Sequence, residues 1–252
     1  MNNYLAICCI VKNEIDLNEW IEYHLNIGVD KIFIFDNNSD IPIKSNNPKV
    51  EVNIYKDYYK QMQCYADFIR NFTFDKIYYK WVAFIDCDEF IVCNNDLKSF
   101  LNQYENYGAI AINWQMFGSS WHKIRQNNIL SNYLFKATSD NPVNKHVKCV
   151  VNMQYVIAKP YWNPHNFFYK DSKRAINSKF DIVSDAFSNE VCIDDIQLNH
   201  YYLKSWEDWL MKVERGRADL NEKRTEKEFF ELEKEYNLIY DSKIFTKTLE
   251  IK

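Results

Sequence analysis

The sequence contains little glycine and proline, with four Gly and five Pro among 252 residues. Because the glycines stand alone at positions 28, 108, 118 and 216, a glycine-rich phosphate-binding loop is excluded. The seven Cys form no C-x-x-C pair and have no histidine partner at zinc-binding spacing. These absences indicate a protein of a reducing compartment without a zinc module.

Long basic and long apolar segments are absent as well. The formal net charge is -4 and no run of basic residues occurs, which argues against a nucleic-acid partner. Residues 1–11 lack a basic start and reach Lys12 after too few apolar residues for a signal peptide or a membrane span. We therefore expect a cytoplasmic protein, for which peripheral contact with the inner face of the membrane is left open.

Aromatic residues are abundant, with 18 Tyr, 17 Phe and 7 Trp. Together with the apolar aliphatic residues they supply a large core, and rings spared from the core suit sugar ligands. The length fits either one sizeable α/β domain or a domain of about 200 residues with a helical appendage.

The N-terminal residues predict a β-α-β unit. Residues 4–11 form a continuous β-prone run, and residues 16–27 space Leu17, Ile21 and Leu25 like one face of a helix. Gly28 stands where a helix C-cap belongs, and residues 31–35 predict the next strand. The crossover makes these two strands parallel neighbours.

The alternation of strands and helices continues to about residue 115. Further strands are predicted at 50–55, 81–85 and 109–114, further helices at 61–74 and 97–104, and less regular strands at 147–151 and 155–158. Ser205 can cap a helix that begins at Trp206, with Asp208 at its N3 position, and a charged helix through Phe229 and Tyr236 ends the chain. The pattern predicts an α/β fold with a mostly parallel sheet flanked by helices.

Polar residues follow three of these strands at their carboxyl ends, where open α/β sheets bind ligands. They are Lys12-Asn13-Glu14, then Asp36 with Asn38 and Ser39, and finally Asp86-x-Asp88.

The third group is the most informative. Asp86, Asp88 and Glu89 stand within four residues at the end of an apolar strand, where they repel one another and lose hydration. A divalent cation compensates such a cluster, and carboxylate oxygens suit Mg²⁺ or Mn²⁺. The alternative is an acidic loop that caps the following helix.

The order of several motifs resembles the glycosyltransferase family 92-like group and its bacterial glycosyltransferase-2-like relatives over about residues 5–217. The motifs are Lys12-Asn13-Glu14, Glu19-Trp20-Ile21-x-Tyr23-His24, Gly28-Val29, Asp36-Asn37-Asn38-Ser39-Asp40, Trp81-x-x-Phe84-Ile85-Asp86-x-Asp88-Glu89-Phe90, Phe117-Gly118-Ser119-Ser120-x-His122 and Asn199-His200-Tyr201-x-x-Lys204-Ser205. Trp121 departs from this pattern, which has a glycine at that position.

The resemblance implies a GT-A fold, a nucleoside-diphosphate sugar donor such as a UDP-sugar, a divalent cation and inversion at the anomeric carbon. It implies a glycosyltransferase domain over residues 1–204, with a donor half to about residue 114 and an acceptor half over 115–204. Residues 205–252 are then a helical extension packed on that domain. The implied acceptor is a glycan or a lipid-linked glycan, and the oligomeric state stays open.

The roles of the family's motif residues are carried over to the matching positions of this sequence. The resemblance implies donor contacts in the strand-end loops and at Gln63, and Lys148 and the helix after Ser205 supply further candidates. The full set is Lys12, Asn13, Glu14, Asp36, Asn38, Gln63, Asp86, Lys148, Lys212 and Arg215. Lys148 has the simpler alternative of solvating a strand end. The implied metal contacts are Asp86, Asp88 and His200.

The acceptor side is less sharply defined. Candidate acceptor residues lie at or just after the end of the strand at 109–114 and in the later loop at Asn163-Pro164-His165, and they are Trp114, Gly118, Ser119, Ser120, Trp121 and His165. Trp114, Phe117 and Trp121 form either an acceptor platform or part of the core, and His165 has the alternative of being an ordered loop residue. An inverting reaction also needs a base near the acceptor hydroxyl, and the candidates are Glu89, His122 and Asp195.

Two other functions are compatible with paired aspartates at a strand end. One is a nucleotidyltransferase or metal-dependent phosphohydrolase acting on nucleotide-sugars, which the lack of a glycine-rich loop disfavours. The other is a non-catalytic glycan-binding relative, which the presence of Asp86, Asp88 and His200 disfavours.

Overall fold

A computed structural model describes residues 3–56, 61–74, 79–215 and 224–250, and not the side chains of residues 72–74, 215 and 247–250. Its strands are β1 Leu5–Val11, β2 Lys31–Asp36, β3 Val50–Ile54, β4 Trp81–Phe84, β5 Glu89–Cys93, β6 Ala109–Met116, β7 Phe135–Lys136, β8 Val147–Asn152, β9 Ala175–Ile176, β10 Ile182–Val183, β11 Ile196–His200 and β12 Ile239–Tyr240. Its α-helices are α1 Leu17–Asn26, α2 Gln61–Phe74, α3 Leu97–Asn102, α4 Ile129–Asn132, α5 Trp206–Arg215, α6 Glu226–Tyr236 and α7 Lys243–Glu250.

A large central sheet organises the molecule. Its path runs β3-β2-β1-β4-β8-β6-β9-β10, and β3, β2, β1 and β4 are parallel. Strand β8 is antiparallel between β4 and β6, while β11 is parallel to β6 and antiparallel to β5. The predicted α/β fold with a mostly parallel sheet is confirmed, and it is consistent with a Rossmann-like GT-A fold. Since β2 and β4 flank β1 on opposite sides, the order reverses there, and such a reversal opens a ligand crevice.

Both faces of the sheet are covered, as the apolar run of β1 predicts. Leu5 and Ile7 join a core that includes Trp20 of α1, whereas Ala6 and Cys8 join a second core that includes Tyr65 of α2. Alternate side chains of a strand point to opposite faces, so β1 has no polar face. Helices on both faces therefore fix the edge at which the carboxyl ends of β1, β2 and β4 meet.

The predicted helix after β1 is confirmed as α1. Gly28 follows it with a φ of 102°, a left-handed conformation that glycine adopts at little cost. At the start of α5, Ser205 Oγ accepts from the Asp208 amide at 3.1 Å and the Asp208 carboxylate accepts from the Ser205 amide at 3.2 Å. This reciprocal cap agrees with the predicted start of α5 at Trp206.

Several predicted elements differ from the observed ones. Residues 155–158 form no strand, because only Val156 makes an isolated bridge, to Tyr169. Strands β5 and β11 were not predicted. The charged helix α6 does not end the chain, since β12 follows it and pairs with β7 before α7 begins.

Residues 226–241 contact the segment that follows β6. Ser119 Oγ hydrogen-bonds Glu233, and the Asn237 side chain accepts from the Ser120 amide at 2.9 Å. The proposed division at residue 204 remains a prediction. Among the described residues, none of the helices has the length and hydropathy to cross a membrane.

Candidate active site

The acidic turn after β4 lies at the crevice. The Asp86 amide donates to Glu89 Oε2 at 2.8 Å, and the Glu89 amide donates to the Asp86 carbonyl at 3.1 Å. These bonds close a tight turn between β4 and β5. Asp86 and Asp88 leave this turn toward different cations, Lys148 and Lys212.

Asp86 is held by a lysine and an amide. Its Oδ2 lies 2.8 Å from Lys148 Nζ and its Oδ1 accepts from Gln61 Nε2 at 2.8 Å. The Lys148 side chain is only 1% exposed. Burial alone would lower the pKa of Lys148, but the carboxylates of Asp86 and Glu89 outweigh it and raise that pKa. Lys148 is therefore a buried, permanent positive charge.

Asp88 is held by a second lysine and by a histidine. Its Oδ2 accepts from Lys212 Nζ at 3.0 Å, and its Oδ1 lies 3.4 Å from His200 Nε2. Burial opposes the ionisation of Asp88, but Lys212 and His200 outweigh it and hold the pKa of Asp88 well below its ordinary value. Burial also lowers the pKa of Lys212, which Asp88 only partly offsets. Asp88 thus stays anionic at neutral pH.

His200 occupies the centre of the site. Its ring packs against Trp114 at a centroid distance of 4.5 Å and against Tyr202 at 5.6 Å. Its Nδ1 is buried without a hydrogen-bond partner and lies 4.0 Å from Glu89 Oε1, which also lacks one. A small closure of this gap would let Glu89 fix the orientation of His200, as a carboxylate behind a ligating histidine does.

Glu89 was predicted as a candidate base, and the structure places it in the interior. Its side chain is fully buried. Burial raises the pKa of Glu89 well above its ordinary value, since the charge of Lys148 offsets it only in part. With no exposed surface it meets no acceptor hydroxyl, so it fits a positioning role better than that of a base.

The other two candidate bases lie elsewhere. Asp195 precedes β11, whose far end carries His200, so the strand separates them by roughly 15 Å. This separation speaks against Asp195 as the base. His122 contacts the Asn132 carbonyl through Nε2 at 3.1 Å and packs edge-on against Tyr133. It lies on the loop after β6 and is not among the residues that line the cavity described below.

A cavity of about 900 Å³ adjoins the acidic turn. Its wall is formed by the loops after β1 and β2 and by residues before and along α5, and it includes Lys12, Asn13, Glu14, Ser39, Asp40, Ile41, Lys44, Arg125, Lys204 and Lys212. Because Lys212 Nζ contacts Asp88 and also lines the cavity, the two regions meet at that side chain. The carboxylates of Asp86 and Asp88 are not themselves part of the wall.

A buried charge network supports this wall. Lys204 Nζ contacts Glu14 Oε1 at 2.8 Å and Asp16 Oδ2 at 2.6 Å, and Arg125 bridges Asp16 to Asp208. Burial alone would lower the pKa of Lys204, but Glu14 and Asp16 raise it. Burial would likewise raise the pKa of Glu14, yet Lys204 outweighs it and that pKa is lowered. The network ties the loop after β1 to the start of α5.

The strand-end loops predicted to hold the donor interlock with each other. The Asn13 amide donates to Ser39 Oγ at 3.0 Å and its side chain exchanges two hydrogen bonds with Asp40. Asp36 accepts the amides of Ser39 and Ile43 at 2.9 and 3.0 Å. Asp36 thus shapes the cavity loop with both carboxylate oxygens.

Two more predicted donor contacts lie outside the cavity wall. Asn38 donates to the Lys56 carbonyl at 3.1 Å. Gln63 donates to Asp67 at 2.8 Å, and it is Gln61, two residues earlier, that reaches Asp86. The signal for Gln61 is its position as the first residue of α2, the end nearest the crevice. Arg215 closes α5, and its side chain lies outside the described residues.

The predicted acceptor residues divide into two groups. Trp114 contacts His200, and His165 packs edge-on against Trp114 at 5.4 Å, so these two belong to the site. Burial, with the charge of Lys148, lowers the pKa of His165 to about 3, and its Nδ1 bonds the Val147 carbonyl. His165 is therefore neutral at physiological pH.

The loop after β6 forms the second group. Ser119 is fully buried, and a Cβ on Gly118 would meet Asn237 and the Tyr236 backbone. Gly118, Ser119 and Ser120 therefore hold the segment after α6 rather than face the crevice. Trp121 is 57% exposed and packs against Phe135 at 4.5 Å.

A divalent ion fits part of the site. The described ranges contain no group of three or more His, Cys, Asp and Glu side chains gathered as metal ligands. Asp88 Oδ1 and His200 Nε2 nevertheless lie 3.4 Å apart, and two ligands of one octahedral ion lie about 3 Å apart. Asp86 is 35% exposed beside them. These side chains supply few ligands, which suits an ion that shares its shell with water and a diphosphate.

Lys204 and Arg125 were missed as contributors to the site. Both are long basic side chains in segments without a regular pattern, and their carboxylate partners lie about 80 to 190 residues away. The sequence signals for Lys204 were its place in the Asn199-His200-Tyr201-x-x-Lys204-Ser205 motif and its position beside the Ser205 cap.

Comparison with known proteins identifies the family. A glycosyltransferase family 92 protein of Ricinus communis is 25% identical over 215 residues, covering 81% of this chain and 36% of that protein. One of Oryza sativa subsp. japonica is 25% identical over 238 residues, covering 85% and 39%. One of Arabidopsis thaliana is 31% identical over 137 residues, covering 46% and 23%. The chain thus spans well under half the length of the relatives that it matches.

The sequence model of glycosyltransferase family 92 matches residues 52–239, which hold the acidic turn, His200, Lys204 and Lys212. Since this match covers most of the chain, the chain belongs to glycosyltransferase family 92.

Proposed function

We propose that this chain transfers a sugar from a nucleoside-diphosphate sugar to a glycan or lipid-linked glycan, with the help of Mn²⁺ or Mg²⁺ and with inversion at the anomeric carbon. The observation that supports it most is the pairing of Asp88 with both His200 and the cavity-lining Lys212. An anion, a histidine and a cation meet there at the carboxyl ends of the parallel strands. A diphosphate and a divalent ion need that combination of charges.

The mechanism follows from where charge develops. Cleavage of the sugar-phosphate bond places negative charge on the departing diphosphate, so fixed cations stabilise the transition state more than the ground state. Lys212 has a low pKa for a lysine because of burial, and it is held by Asp88 and by the Tyr202 carbonyl at 2.6 Å. Lys212 is thus preorganised toward the cavity.

A bound divalent ion would act as a Lewis acid on the diphosphate. Asp88 and His200 would hold it, with Asp86 as a further ligand, while Lys148 holds the Asp86 carboxylate in place. Glu89 would orient His200 from behind. The base for the acceptor hydroxyl is not assigned.

Calorimetry with UDP and other nucleoside diphosphates, with and without Mn²⁺, tests this proposal by measuring binding at the donor site. We expect Asp88→Asn to weaken Mn²⁺-assisted binding by about tenfold or more, because a ligand of the ion and the partner of Lys212 are both changed. Asp140→Asn is the matched control, since Asp140 is an exposed aspartate of the loop after β7. A nucleoside-diphosphate affinity that is independent of Mn²⁺ and the same in Asp88→Asn as in the wild type would refute the metal role.

Turnover tests the reaction class. Released nucleoside diphosphate should be followed over a panel of sugar donors and acceptors. Release of nucleoside monophosphate instead would favour a phosphohydrolase or nucleotidyltransferase. Donor binding without any turnover would favour a non-catalytic glycan-binding relative.

A further inference from the structure

Trp162 is an exposed aromatic side chain that is nevertheless fixed in place. It is 65% exposed. Its ring packs on Tyr161 at 3.9 Å and edge-on against Phe168 at 5.3 Å, while its Nε1 donates to Asp185 Oδ1 at 3.2 Å. A large apolar ring left in water and held rigid is preorganised to bind a ligand, because little side-chain entropy is lost on binding.

Polar groups surround this ring at its edge. Asn163 Nδ2 also donates to Asp185 Oδ1, at 2.6 Å, and the exposed Asp185 carboxylate is shared between the two donors. An apolar face bordered by a carboxylate and an amide matches a sugar ring, whose C–H face is apolar and whose hydroxyls lie at its rim.

A row of rings connects this surface with the active site. From His200 the row passes to Trp114 at 4.5 Å, to His146 at 4.6 Å, and to Phe187 at 4.1 Å. Phe187 is 55% exposed, so the row runs from the buried site to solvent.

The backbone sets the direction of this row. The Val147 amide donates to the Ala186 carbonyl at 3.0 Å, which fixes residues 185–187 beside the start of β8 and next to Lys148. Asp185 and Phe187 are both exposed, and only the buried Ala186 separates them in the chain. Asp185 holds Trp162 and Phe187 packs on His146. The end of the ring row and the Trp162 surface are therefore neighbours.

We propose that this row is an acceptor track, and that Trp162 with Asp185 binds a sugar unit remote from the new bond. The acceptor is accordingly an oligosaccharide chain rather than a single sugar or a small aglycone. This inference rests on the proposed transferase function. It adds an outer subsite that determines the length of acceptor the protein prefers.

The test uses a panel of mono- to hexasaccharides of several linkages, applied to the full chain with UDP and Mn²⁺. Affinity is measured for each glycan that binds and for the same glycan shortened to one or two units. Trp162→Ala should weaken binding of the long form by about tenfold and leave the short form unchanged. Phe180→Ala is the matched control, because Phe180 is 50% exposed but packs on Tyr104, before β6, away from the carboxyl-end edge.

The outcomes separate this inference from the proposed function. The subsite is overturned if Trp162→Ala binds long glycans as tightly as the wild type does. It is also overturned if the variant loses the same affinity for long and short glycans, or if the wild type binds no glycan at all. If sugar transfer occurs with no dependence on acceptor length, the subsite is wrong and the transferase function stands. If long glycans bind through Trp162 while no donor binds, the subsite stands and the transferase function fails.

Discussion

Replacing Lys204 by Met tests whether the charge network at the cavity wall stabilises the fold. Lys204 is 3% exposed, and its Nζ contacts both Glu14 and Asp16. Met keeps the length of the side chain but removes the charge. Because Lys204 has a φ of 52°, the cost of this backbone conformation is similar for both side chains and cancels in the comparison.

The expected loss is large because two buried carboxylates lose a cation. Removing one partner of a buried ion pair lowers the free energy of unfolding by about 3–5 kcal/mol, since the other charge is left unpaired in the interior. Arg125 still contacts Asp16, so Glu14 bears most of this penalty. We expect a fall in the melting temperature of roughly 10 °C.

Urea unfolding at constant m-value measures the effect. Glu14→Gln combined with Lys204→Met should recover about 2 kcal/mol relative to the sum of the single changes, because the unpaired charge is gone. Lys227→Met is the control, since Lys227 is 84% exposed in its pair with Glu231 and should change stability by less than about 0.5 kcal/mol.

The pH dependence gives an independent check. In the wild type the folded pKa of Glu14 is lowered, so its contribution is present above the unfolded pKa of about 4.3 and is lost as the pH falls through the folded value. Without Lys204, burial should raise that pKa, so protonation relieves the penalty and the cost of the variant shrinks from pH 7 toward pH 4.5. A cost under about 1 kcal/mol at pH 7, or an equal cost at both pH values, would refute the reasoning.

Three further predictions concern other parts of the fold. Gly118→Ala should destabilise the protein by about 1–3 kcal/mol in urea unfolding, because the new Cβ lies 2.8 Å from the backbone carbon of Tyr236. His24 is fully buried and burial lowers its pKa to about 3. Below about pH 6.5 the imidazole of His24 binds a proton in the unfolded chain but not in the folded protein. The free energy of unfolding should therefore decrease by roughly 1.4 kcal/mol for each unit by which the pH is lowered between these two values, and His24→Asn should flatten this slope. Ser205→Ala should cost about 1–2 kcal/mol by thermal unfolding, because the cap of α5 is lost.

The elements predicted from the sequence are those with local causes. The continuous apolar run of β1, the periodicity of α1, Gly28 after it and the Ser205 cap depend on residues close together in the chain. The acidic turn was predictable for the same reason, because it is marked by carboxylates that directly follow an apolar strand in the chain.

The tertiary structure decided what those local signals could not. Strand β11 alternates apolar and polar residues, which suggests a half-exposed strand, yet all of it is buried. Ile196 and Leu198 join the core, and the Gln197 side chain donates to Asn199 Oδ1 at 2.6 Å. The cations of the acidic turn come from positions 62 and 124 residues away. The choice among several lysines for these partners depends on which strand and helix ends meet at one edge of the sheet. Such a meeting is a property of long-range packing, because no short-range pattern encodes the distance between two side chains that far apart in the chain.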